Sequence, residues 1–172
     1  SGISKIDREK ANSACLADSA SKDFTANAMG EYLLSMGRFD EIISLLEPYL
    51  HKESAFNLEA RFCLARAYYY KKDYANALKQ QIILNRLDSS KDDYIELKAE
   101  ILMEIEKHEE AVNLLTNLLT LHSFNSAAKL LRAQAYHGLQ KDDLAIADLN
   151  QIIASNKSGV RVFELLAAIY LD

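Results

Sequence analysis

Four histidines, two cysteines and two pairs of adjacent acids are the groups in this chain with the types to do chemistry. His51, His108, His122 and His137 show neither HxxxH nor HExxH spacing, so they form no metal-binding pair on one helix face. Each reads as a surface or turn histidine. Cys15 and Cys63 fit no CxxC or zinc pattern. They are expected to be reduced, buried small residues, with a disulfide between them as the alternative. The chain lacks a GxSxG elbow, a P-loop and a GxGxxG, and five scattered glycines cannot build a phosphate cradle. Glu109-Glu110 and Asp142-Asp143 resemble paired catalytic carboxylates, but they fall where second helices should start. There the helix dipole alone favours acids. No catalytic residue, metal or cofactor is expected, and the chain reads as a non-enzyme.

The elements that would carry these residues recur at nearly constant spacing. Leu33, Tyr68, Leu102, Tyr136 and Tyr170 follow one another by 35, 34, 34 and 34 residues. Nine residues after the first four stand Ile42, Ala77, Ala111 and Ala145. A fixed step of this length signals stacked helix–turn–helix units. Small residues (Gly30, Ala65, Ala99, Ala133, Ala167) hold one place in each first helix. There they let the second helix cross closely, while the neighbouring Tyr or Leu fills the space beside the crossing. Polar triplets join the two helices of a copy: Met36-Gly37-Arg38, Lys71-Lys72-Asp73, Glu106-Lys107-His108 and Gln140-Lys141-Asp142. Between copies, Asp88-Ser89-Ser90, Ser123-Phe124-Asn125-Ser126 and Asn156-Lys157-Ser158-Gly159 supply helix stops and N-caps. The expected organisation is 23–57, 58–91, 92–125 and 126–159 as repeats 1 to 4, and 160–172 as the first helix of a fifth. Residues 1–22 form a capping helix or the remnant of an upstream repeat. Pro48 should end or bend the second helix of repeat 1 near Leu46-Glu47.

This arrangement resembles the tetratricopeptide repeat. Met29-Gly30, Gly37 and Phe39 match its pattern in repeat 1. Ala65, Tyr68, Tyr74, Ala77 and Leu84 do so in repeat 2, and Ala133, Tyr136, Ala145, Leu149 and Ile152 in repeat 4. The departures are local: the family's Trp and terminal Pro are absent, His108 and Asp142 replace the turn Tyr, and Gln81 replaces an aromatic or Leu. The resemblance implies an all-α, right-handed superhelix (an α-solenoid) of tandem helix–turn–helix repeats.

It also implies that the first helices line a concave groove and touch the ligand. Carried over by register, the groove residues are Asn27, Glu31, Phe62, Arg66, Tyr69, Tyr70, Glu96, Glu100, Met103, Glu104, Gln134 and His137. The full set of groove-facing positions holds eight acids against two arginines, enough to account for the net charge of −5. An acidic groove with Phe62, Tyr69, Tyr70 and Met103 in it suits a protein or peptide with basic and apolar side chains. Family members that clamp a terminal carboxylate use Lys and Asn in the first copy, Asn in the second and Lys or Arg in the third, where this chain has Asn27 and Glu31, then Cys63, then Asp93 and Leu97. An acidic wall would repel a terminal carboxylate, so that mode is not expected.

The resulting reading is a protein–protein interaction scaffold. The alternative is an accessory repeat region of a larger enzyme or assembly factor. The acidic balance argues against nucleic acid. No apolar run approaches the ~18 residues of a membrane span, and no signal peptide is visible. The location is left open, with the cytoplasm favoured. An unpaired first helix after residue 160 would expose Phe163, Leu166 and Tyr170, so self-association through 160–172 or a continuing chain is expected.

Overall fold

Four copies of one backbone turn set the architecture. The computed structural model describes residues 27–47, 50, 58–156 and 159–171, and all regular structure among them is helical. The described part of α1 covers 27–35. It is followed by α2 (Phe39–Leu46), α3 (Leu58–Tyr70), α4 (Tyr74–Leu87) and α5 (Asp92–Glu104). Next come α6 (His108–Leu121), α7 (Ser126–Gly138), α8 (Asp142–Ala154) and α9 (Val160–Leu171). The sequence expectation of nine or more helices and no sheet therefore agrees with the described residues. The expectations for residues 1–22 and for Cys15 lie outside them.

Each hairpin turn is closed by the same pair of bonds. The N–H groups of Arg38, Asp73, Lys107 and Lys141 donate to the carbonyls of Leu33, Tyr68, Leu102 and Tyr136 at 2.8–3.0 Å. One residue earlier, Gly37, Lys72, Glu106 and Gln140 donate to Leu34, Tyr69, Met103 and His137 at 2.8–3.1 Å. These bonds form a Schellman motif, which satisfies the orphan carbonyls at a helix end and needs one left-handed residue. That residue is Gly37, Lys72, Glu106 or Gln140, with φ of 69°, 61°, 61° and 57°. The periodic residues of the sequence are thus the carbonyls on which every turn closes.

Two of the expected turn triplets shift by one residue. The turns are Ile105–Lys107 and Leu139–Lys141, and His108 and Asp142 open α6 and α8. Polarity misplaced them because Ile105 is apolar and packs, partly buried, against the core of its unit. Caps also differ from expectation. Asp73 and Asn125 cap α4 and α7 through their side chains, whereas Lys91 precedes α5 without a side-chain cap. There Asp92 and Asp93 in the first turn complement the dipole instead. α2 ends at Leu46, two residues before Pro48, where a helix should stop.

The chain divides into two compact units, Ser1–Asp88 and Ser89–Asp172. In the first, α2 packs on α3 and α3 on α4. A Cβ on Gly30 would lie 3.3 Å from Leu46 Cδ1 and 3.5 Å from Cys63 Cβ, so α1 closely approaches both α2 and α3. Ile42, Leu46, Leu64 and Leu84 are among the most deeply buried side chains of this unit.

In the second unit α5 pairs with α6 and α7 with α8, while α6 packs on α7 and α8 on α9. Ala99 and Ala111 share a core with Leu102, Leu115 and Leu118. Ala133 and Ala145 share the next with Leu149, Ile152, Val162 and Ile169. All four alanines are fully buried. Close helix approach at these points is why the small residues recur.

Candidate functional site

The first-helix face of the first unit is built by α1 and α3. Glu31, exposed on α1, reaches α3 twice. Its Oε1 accepts from the Cys63 thiol at 3.1 Å, and its Oε2 lies 3.9 Å from Arg66 Nη1. The Arg66 guanidinium in turn sits 5.7 Å above the Phe62 ring centroid. Burial, and then the Glu31 carboxylate, push the Cys63 thiol well above its usual range, so it is no nucleophile. Asn27 lies one turn before Glu31 on α1, and its Oδ1 is buried with no partner among the described residues. Tyr70 stacks on Phe39 with centroids 5.1 Å apart, and Tyr69 meets Tyr70 edge-on at 5.4 Å. The six predicted residues of this unit therefore separate into a polar group around Glu31 and Arg66 and an aromatic group at the hairpin turns. Leu34, on the same helix as Glu31, is buried as core.

In the second unit α5 and α7 carry the face. Asp93, Glu96, Glu100 and Glu104 place four carboxylates on α5, with Met103 half-buried at the edge of the core. Asn125, the residue that caps α7, organises this surface. Its Oδ1 accepts from the Ala128 N–H at 2.9 Å, while its Nδ2 donates to Asp92 Oδ2 and Glu96 Oε1, both at 2.8 Å. His122 Nδ1 lies 2.6 Å from the other Asp92 oxygen. Burial raises the Glu96 pKa above its ordinary value. Asn125 opposes the shift, and the charges of Asp93 and Asp92 add to it. On α7, Gln134 is exposed, and His137 is held through Nδ1, 2.8 Å from Asp142 Oδ1. A cavity of about 290 Å³ opens beside α7, lined by Ala127, Leu130, Ile152, Val160 and Val162, with Ser126 and Arg161 at its polar edge.

Sequence reasoning did not anticipate Asn125 as a bridge, nor the buried ion pair beneath α7. Arg132 binds Asp148 through two bonds of 2.7 Å, and Asp148 is almost fully buried. A signal existed: Asp148 interrupts the apolar stripe of Ala145, Leu149 and Ile152.

The described residues hold no metal-binding cluster of His, Cys, Asp or Glu. No helix among them is long and apolar enough to cross a membrane. The arrangement offers side-chain surfaces on repeated hairpins.

The tetratricopeptide repeat model matches residues 27–82 and 97–159, about two thirds of the chain. The chain belongs to the tetratricopeptide repeat family. Among solved structures it is similar to the crystal structure of MamA, with a TM-score of 0.69 and 18% identity over 82% of each chain. At that identity the likeness concerns the all-α repeat fold alone. None of the curated proteins matches the chain by sequence. Tetratricopeptide repeats generally mediate protein–protein interaction and are typically non-catalytic scaffolds.

Proposed function

We propose that this tetratricopeptide protein is a non-catalytic scaffold. Its first-helix faces bind a protein or peptide bearing basic and apolar side chains. The observation that carries this reading is the carboxylate stripe of α5. Glu96, Glu100 and Glu104, four residues apart, occupy one helix face, where like charges oppose each other by a few tenths of a kcal/mol each. Glu96 is also partly desolvated beside Asp92 and Asp93. A cationic side chain docked there would relieve both costs, and Met103 and the apolar cavity beside Leu130 would receive its neighbours. In the first unit Glu31 already engages Arg66, so the Phe39, Tyr69 and Tyr70 cluster is the more apt contact there.

The test is the double variant Glu96→Lys and Glu100→Lys, used as bait beside the unaltered protein. Partners bound through this face are lost from the variant while its helical circular dichroism is retained. They also weaken as salt rises, since exposed charges are screened within ~8 Å at physiological ionic strength. A partner captured equally by both baits at every salt concentration would place the interface elsewhere.

A further inference from the structure

The apolar cavity of the second unit lies between opposite charges. Asp93, Ala127 and Arg161 follow one another by 34 residues and are exposed at the same place on α5, α7 and α9. Ala127 is thus a methyl group standing between an acid and a guanidinium. Its small side chain helps to leave the hollow of about 290 Å³ open, and so does Gly159, where a Cβ would meet nothing within 4 Å. Leu130, Ile152 and Val162 line the hollow, and Val160, 73% exposed, stands on its rim. Val160 opens α9 where Asp92 and Ser126 open α5 and α7, so an apolar residue takes a polar place here. On the α5 side, Glu96 is tied to α7 through Asn125, whose side chain also caps the Ala128 N–H. The Glu96 carboxylate therefore lies against the first turn of α7. Arg161 bounds the cavity on the α9 side.

We infer that this cavity anchors one large apolar side chain of a peptide whose flanking charges are fixed in order. A Lys or Arg lies over Asp93 and Glu96, and an acidic side chain meets Arg161. The inference rests on the acidic-face reading and sharpens its ligand from basic and apolar to basic, apolar and acidic in turn. Pockets that enclose small molecules run to roughly 300–1,000 Å³, so this smaller hollow suits a single Leu-, Met- or Phe-sized side chain. An apolar anchor in such a pocket supplies most of the binding energy, and charges at the rim select among ligands. Packed helices stand about 8–10 Å apart, while alternate residues of an extended chain lie ~7 Å apart on one side. A peptide crossing from α5 to α9 therefore presents every second residue to this face. The long side chains of its cation, of Glu96 and of Arg161 span the remaining distance. A wholly basic segment would set a cation against Arg161, and that repulsion discriminates against it.

The probe is the end-blocked peptide Lys-Ser-Leu-Ser-Glu, titrated into the isotope-labelled 172-residue chain and followed by amide chemical shifts. Shifts at Ala127, Leu130 and Val162 should saturate with a dissociation constant on the order of 1 mM. Lys-Ser-Ala-Ser-Glu lacks the anchor and Lys-Ser-Leu-Ser-Lys is repelled at Arg161, so each should bind about tenfold more weakly. Ala127→Phe, at an exposed position, fills the cavity and should cost the leucine-glutamate peptide about the same factor without loss of helix. Arg161→Glu should reverse the preference in favour of Lys-Ser-Leu-Ser-Lys. Equal binding of the three peptides, or a leucine-glutamate peptide indifferent to Ala127→Phe, overturns the pocket. If all three are nevertheless lost with Glu96→Lys and Glu100→Lys, the acidic-face reading survives that failure. A leucine-glutamate peptide that the double variant binds as the wild type does overturns both. No shift at Ala127, Leu130 or Val162 at about 10 mM peptide overturns the pocket alone.

Discussion

Gln81 is the residue at which this chain departs most from its own repeat. Leu46, Leu115 and Leu149 occupy the same position in the other hairpins, and all are wholly buried. Gln81 is 1% exposed, and its Nε2 has no partner among the described residues. A buried amide donor left unpaired costs about 1–3 kcal/mol, so Gln81→Leu should raise stability by a similar amount. The urea midpoint measures this, and an unchanged midpoint would mean the amide is satisfied. Glu96 gives the second residue-scale expectation. Burial lifts its folded pKa above the ordinary 4.5. Its protonated form is therefore the one the fold favours. The associated stability is present below pH 4.5 and lost as pH rises through the raised value. Glu96→Gln keeps an acceptor for Asn125 and removes the charge. The variant should melt above the wild type at pH 7, with the gap closing below pH 4.5. A gap that widens on acidification would reverse the assigned sign.

The hairpin turn is the element most exactly repeated, and it shows what the sequence can and cannot carry. Its spacing was legible because close helix crossing demands small residues and the turn closes on one carbonyl, at Leu33, Tyr68, Leu102 or Tyr136. Its boundaries in repeats 3 and 4 were less so, because Ile105 and Leu139 are apolar and do not look like turn residues. Contacts between side chains far apart in sequence were not legible at all. Asn125 meets Glu96 across 29 residues, and Arg132 meets Asp148 across 16. No local pattern encodes such meetings. His108 lies so close to Gly138 that a Cβ there would fall 2.7–3.0 Å from its ring, a contact that spacing alone did not reveal. The left-handed position itself yields a prediction. Lys72, Glu106 and Gln140 adopt positive φ where repeat 1 has Gly37. A side chain there costs ~1–2 kcal/mol, against the ~0.5–1 kcal/mol that glycine loses in chain entropy. Each residue changed to Gly should therefore gain about 0.5–1 kcal/mol, and Gly37→Lys should lose as much. A Cβ at Gly37 would meet nothing nearer than Phe39 at 3.9 Å, so any loss reports conformation rather than a clash. Lower urea midpoints for the three glycine variants would mean that their side chains hold the turn in some other way.

At the scale of the molecule, a repeat fold has no single core, and each helix is as stable as the neighbours that cover it. The fold class was readable in full for this reason: one local rule, applied four times, is the architecture. The carboxylates of the candidate face were readable as residues on first helices. Their engagement was not, since Glu31 is drawn to Cys63 and Arg66, and Glu96 to Asn125, only once the helices are stacked. The same rule orders local stability within the second unit. Among the described helices, α7 is packed by α5, α6, α8 and α9, whereas α9 packs chiefly on α8 and α7 and buries Val162 and Ile169. Opening α9 alone therefore gives up the burial of two side chains with partial burial of Leu165 and Leu166, a loss of about 3–6 kcal/mol for the first two. This is offset by the chain entropy regained on release. Opening α7 would empty both clusters of the unit. Amide exchange at a few micromolar should thus find α9 exchanging far ahead of α6, α7 and α8. Equal protection of α9 and α7 in dilute solution would show that stability is not set helix by helix from its neighbours.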